Sequence, residues 1–152
     1  MILLYYSVTK FMGRGAMESL AETIDKKAML KGRRVLLVDD NPDVLWVLND
    51  MLTRNLEVEI TTAVDGEGAV AIAQDEIPDL ILMDLMMPGL NGIEATKRLK
   101  NDTRTGHIPI VALTAFVNTY RRNEVMKNGF VDYLEKPVVI DELVDIIFRN
   151  IV

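Results

Sequence analysis

The chain of 152 residues is 49% hydrophobic and 26% charged, a globular composition of single-domain length with no low-complexity tract or internal repeat. It has no cysteine and one histidine, His107, which excludes disulfides, zinc–thiolate sites, cysteine nucleophiles and multi-histidine metal sites. The net charge of −6 is unevenly spread: residues 1–32 carry five Lys/Arg against three Asp/Glu, residues 33–152 twelve against twenty, and so acidic a body argues against nucleic acid as a partner.

The opening segment, Met1 to Val8, is apolar but soon meets Thr9 and Lys10, well short of the roughly 20 residues that span a bilayer. It also lacks a basic leader, so neither a signal peptide nor a membrane anchor is expected and a cytoplasmic location is the simplest reading. Met17, Leu20, Ala21, Ile24 and Ala28 then recur at helical spacing, which predicts an amphipathic helix over 17–30 inside an N-terminal extension of residues 1–32. Such a helix could dock on the rest of the chain, pair with another protomer in a homodimer, or be the end of a longer ancestral protein. Met17 and Met29 are alternative starts.

From Arg33 the pattern is regular. "RVLLVDD" is a short aliphatic run of the kind that forms a parallel strand covered on both faces. Asn41 can cap a helix and Pro42 fits its first turn, after which Val44, Leu45, Leu48, Met51 and Leu52 trace an inward face. "EVEITTAV" predicts a second strand, "DGEGAVAIAQDE" a second helix, and "DLILMD" a third strand ending in Asp84. "GIEATKRLKND" predicts a third helix and "IPIVALTA" a fourth strand. "NTYRRNEVMKNG" predicts a helix closed by Gly129, "VDYLEKP" a fifth strand and loop, and "IDELVDIIFRNIV" a last amphipathic helix. Strands alternating with helices imply right-handed crossovers, hence an α/β domain over 33–152 with a doubly wound five-stranded parallel sheet and five helices.

In that arrangement Asp39, Asp40, Asp84, Thr114 and Lys136 all fall at the carboxyl ends of strands, the edge where open α/β sheets bind ligands. Three carboxylates there repel one another, by about 4 kcal/mol for each pair of unit charges 4 Å apart at an effective dielectric of 20. A hard cation with oxygen ligands, Mg²⁺ above all, answers that repulsion. Lys136 is a second positive group, held before Pro137 in an extended loop, and Thr114 adds a hydroxyl. Carboxylate, Mg²⁺, lysine and hydroxyl together make a phosphoryl-transfer site in which an aspartate can be the nucleophile. Each residue also has a plainer reading: a helix cap for the aspartates, a loop lysine, a strand-end hydroxyl. His107, ahead of the fourth strand, reads as a surface residue.

Residues 33–152 resemble the receiver domain of two-component response regulators. The resemblance is carried by "DD" at 39 and 40, "DLMMPGLNG" from Asp84 to Gly92, "ALTA" with Thr114, and "DYLEKP" with Tyr133, Lys136 and Pro137. It implies the flavodoxin-like receiver fold with strand order 2-1-3-4-5. It also implies that Asp84 is the phosphoacceptor, served by a histidine kinase or histidine phosphotransfer protein. Asp40, Asp84 and the backbone carbonyl of Met86 would bind Mg²⁺ directly, and Asp39 through water. Lys136 would pair with a phosphoryl oxygen, Thr114 would swing towards it, and Tyr133 would turn inward. The face made by helix four, strand five and helix five of the receiver would then shift and bind a downstream protein target. Catalysis would extend only to the protein's own phosphorylation and dephosphorylation. Met86 and Phe116, two residues beyond Asp84 and Thr114, would flank the phosphoryl group and slow its hydrolysis. No output domain is expected beyond the last helix, and signalling is expected to pass through partners. A haloacid-dehalogenase-like phosphatase would want a second aspartate where Met86 stands. A phosphorylation-independent interaction module is the alternative, although such receivers usually lose one of the acidic residues or the lysine that this chain keeps.

Overall fold

A computed structural model describes residues 13–115 and 122–152. Among them are α1 (Arg14–Leu30), β1 (Arg34–Val38), α2 (Pro42–Asn55), β2 (Glu59–Ala63), α3 (Gly66–Glu76), β3 (Leu80–Asp84), α4 (Gly92–Asn101), β4 (Ile110–Thr114), α5 (Arg122–Lys127), β5 (Asp132–Glu135) and α6 (Ile140–Ile151). The five strands form one sheet in the order β2-β1-β3-β4-β5, with every neighbouring pair parallel. That is the order the resemblance implies.

The aliphatic strands explain the two-layer cover. Successive strand side chains point to opposite faces, so a strand buried on both must be apolar throughout. Leu36, Val38, Ile81, Met83, Ile110 and Ala112 share one core with Ala69, Ala73, Ala95, Leu99 and Val125 from α3, α4 and α5. The alternate residues Val35, Leu37, Leu80, Leu82, Val111 and Leu113 share the other with α2 and α6. Helix starts follow the expected chemistry. Pro42 opens α2 and the Asn41 side chain accepts from the Asp43 N–H at 2.9 Å, while Asp65 and Asn91 cap α3 and α4 in the same way. Because Asn91 caps α4, the carboxylate of Asp84 is not used for that purpose.

The N-terminal helix lies on α6, and its orientation was not evident from the apolar stripe. Leu30 at its end is fully buried in the α2–α6 core. Lys26 reaches Asp145 of α6 at 2.8 Å and Glu22 at 3.0 Å, with its ammonium 5.6 Å from the Phe148 ring centroid. The helix therefore docks through Lys26 and Leu30, one turn apart at i and i+4. The stripe of Leu20 and Ile24 points away and is 46% and 58% exposed.

Candidate functional site

Register decides which side chains meet. Val38 of β1 is level with Met83 of β3, Asp84 with Leu113 of β4, and Thr114 with Glu135 of β5. The next residue on each strand end is therefore delivered to one edge. Asp39 follows β1, Asp84 and Thr114 end β3 and β4, and Lys136 follows β5, fixed by its N–H donating to the Thr114 carbonyl at 2.8 Å.

Asp39, Asp40 and Asp84 each offer an oxygen within 4.8 Å of the others. Asp39, Asp84 and Thr114 are buried, whereas Asp40 is exposed. The Asp39 carboxylate accepts from the Asn41 N–H at 2.9 Å and from the Lys136 ammonium through its second oxygen. Lys136 is also 3.5 Å from Asp84 Oδ1, which accepts from the Met86 N–H at 3.3 Å. Burial pushes the Asp84 carboxyl above the usual carboxylate range. Lys136 pulls it back, the neighbouring Asp39 charge raises it further, and the Met86 N–H lowers it, leaving it raised on balance. Three carboxylates against one ammonium leave the cluster electronegative, and its oxygen-only donors suit a hard divalent cation such as Mg²⁺.

The loop after β3 is held by close backbone approach. A Cβ on Gly92 would overlap the Asp84 carbonyl oxygen, and one on Gly66 would overlap the carbonyl of Leu90. Only glycine lets α4 start against the end of β3, with α3 pressed on the loop between them. In that loop Leu85 and Met87 are buried and Met86 is 49% exposed, beside a cavity of about 420 Å³ also lined by Pro88 and Asn91. Tyr133 is half-buried on β5, with the Arg122 guanidinium 6.0 Å from its ring centroid. His107 is exposed, and Phe116 lies outside the described residues.

Sequence reasoning missed one neighbour of this site. An apolar groove of about 500 Å³ runs beside Lys136, formed by Val44, Val47, Leu48 and Met51 of α2 with Pro137 and Val138. The helical periodicity assigns Val44, Leu48 and Met51 to the core but carries no sign that the loop after β5 leaves a channel along them.

A parallel sheet in the order 2-1-3-4-5 whose carboxyl edge gathers three carboxylates, a lysine and a buried threonine is the architecture of a receiver domain. The profile for the response regulator receiver domain matches residues 35–148, and the chain belongs to that family. It is 40% identical over 105 residues to the response regulator PleD of Caulobacter vibrioides, an alignment that takes in 69% of this chain but only 23% of PleD. Over 105 residues it is 39% identical to the protein PilH of Pseudomonas aeruginosa, covering 69% of this chain and 86% of that one. The receiver domain of the sensor histidine kinase PA1611 of Pseudomonas aeruginosa is 38% identical, with a TM-score of 0.73 over 79% of this chain and 98% of that one. In that structure a magnesium ion is coordinated in the active-site cleft. No described helix of the present chain is long and apolar enough to cross a membrane.

Proposed function

We propose that this receiver accepts a phosphoryl group on Asp84 from a histidine kinase or histidine phosphotransfer protein, in the cytoplasm, and passes the signal to a protein partner. The observation that carries the reading is the meeting of Asp39, Asp40 and Asp84 within 4.8 Å, with Lys136 3.5 Å from Asp84. An Asp84 carboxylate oxygen attacks phosphorus, the new O–P bond forms, and the P–N bond to the donor imidazole breaks with its electron pair leaving on nitrogen. Asp40, Asp84 and the Met86 carbonyl would hold Mg²⁺ directly and Asp39 through water, and the bound ion supplies positive charge that offsets the carboxylate and phosphoryl oxygens. The direct role of Asp40 is supported by the engagement of both Asp39 oxygens with Lys136 and the Asn41 N–H.

Lys136 then has a short path from Asp39 to a phosphoryl oxygen on Asp84. Thr114, buried at the adjoining strand end, supplies a hydroxyl to the same group, and Tyr133 turns inward behind it. A doubly charged group with three acceptor oxygens supplies the few kcal/mol that bias the α5–β5–α6 face between two arrangements. Met86 narrows the approach of water to the acyl phosphate. The chemistry is self-modification and not turnover of a separate substrate.

The test is incubation with Mg²⁺ and phosphoramidate, followed by intact mass measurement of the wild type and Asp84→Asn. Gain of one phosphoryl mass in the wild type alone is expected. No adduct in either would favour the phosphorylation-independent interaction module.

A further inference from the structure

We propose that Met86 is an oxidation site through which peroxide shortens the lifetime of the phosphorylated state; the effect on lifetime rests on Asp84 being the phosphoacceptor. Three methionines follow one another closely in "LILMDLMMPG", and the fold treats them differently. Met83 is 0% exposed within β3, Met87 is 7% exposed and packed in the core, and Met86 between them is 49% exposed. Its N–H donates to Asp84 Oδ1 at 3.3 Å, which fixes the residue against the acceptor carboxylate, and it borders the open cavity with Pro88 and Asn91. Among the described methionines only Met29, at 52%, is comparably exposed, and it sits on α1, away from the acidic edge. Accessibility therefore selects one methionine at the site and provides a matched control elsewhere.

The chemistry balances with a peroxide as oxidant. The thioether sulfur gives an electron pair to the terminal peroxide oxygen, an S–O bond forms as O–O breaks, and water leaves. The product, methionine sulfoxide, is polar and is returned to methionine by sulfoxide reductases. At Met86 an apolar side chain that narrows the approach of water becomes one whose oxygen accepts a hydrogen bond from it. Water held beside the acyl phosphate in this way attacks more often. The modification, confined to the side-chain sulfur of Met86, thus couples an oxidant to the same output as a phosphatase while leaving Asp84, Lys136, Asp40 and the Met86 backbone carbonyl chemically unchanged.

The experiment treats the full chain with hydrogen peroxide, maps sulfoxide by peptide mass, then phosphorylates with phosphoramidate and Mg²⁺ and times the loss of the phosphoryl mass. Met86 is expected to convert well before Met83 and Met87, and the oxidised protein to dephosphorylate about threefold faster, a change of about 0.65 kcal/mol in barrier. In Met86→Leu, compared only with itself, peroxide leaves the decay unchanged, while Met29→Leu still responds. Met86→Gln reproduces the faster decay without oxidant. Conversion of Met86 no faster than of its buried neighbours, an equal peroxide response in Met86→Leu, or unaltered decay of the oxidised wild type would each overturn the proposal. Failure of both oxidised and untreated protein to take up phosphate would overturn the phosphoacceptor reading itself, and the claim about lifetime with it.

Discussion

Asp84 has a cost that follows from its position. A carboxyl buried beside Asp39 binds its proton more tightly in the folded state than in the unfolded one, so its folded pKa lies above its unfolded pKa. Between those two values the native state holds more protons, and stability falls as pH rises. The contribution is whole below the unfolded pKa and gone above the folded one. Asp84→Asn removes this dependence. Its melting temperature, measured without divalent cations, is therefore expected to exceed that of the wild type by a few degrees at pH 7. The gap should narrow towards about pH 4, and a constant or reversed gap would contradict the electrostatic account. Mg²⁺ should act on the same repulsion from the other side. A cation at ten times its dissociation constant stabilises the native state by about 1.4 kcal/mol. Thermal melts should show that gain in the wild type and lose most of it in Asp40→Ala, whose exposed side chain has little packing to lose.

At the level of elements, α4 and β3 are set against each other by Gly92. Because a Cβ there would overlap the Asp84 carbonyl oxygen, Gly92→Ala must push the start of α4 away from the strand that carries Asp84. Overpacking of this kind costs about 1–3 kcal/mol or more, and here it should also weaken Mg²⁺ binding, which denaturant titration with and without the ion would separate. The strands and helices were legible in the sequence because both faces of the sheet are covered, so aliphatic runs such as "LILMD" have no competing explanation. The convergence of Asp39, Asp84, Thr114 and Lys136 was legible for the same reason: strand ends in a parallel sheet share an edge. The resting partner of Lys136 was not. A flexible four-carbon stem reaches both Asp39 and Asp84, and strand-end placement alone carries no sign that the ammonium lies nearer Asp39. The exposed stripe of α1 was likewise hidden, because helical periodicity reports which residues share a face but not which face meets the fold.

At the scale of the molecule, α1 raises the question of where the folded unit begins. The family profile starts at residue 35, yet Leu30 is fully buried among residues of α2 and α6. The rest of α1 is tied on mainly by Lys26 with Asp145 and Phe148 of α6, an ion pair and a ring contact at a partly exposed site of the kind that contributes little. Stability should therefore change in a step at one residue and not in proportion to helix length. A chain beginning at Met29 keeps Leu30 and should unfold in urea near the full-length midpoint. A chain beginning at Arg33 exposes the α2–α6 core where Leu30 sat, and should lose about 2–5 kcal/mol, the usual cost of deleting a buried leucine side chain. Leu30→Ala in the full chain should reproduce most of that loss while leaving α1 otherwise intact. A loss spread evenly over progressive truncations from Gly13 would instead mean that the polar docking of α1 on α6 carries the stability, and that Lys26 and Asp145 are worth more together than their exposure implies.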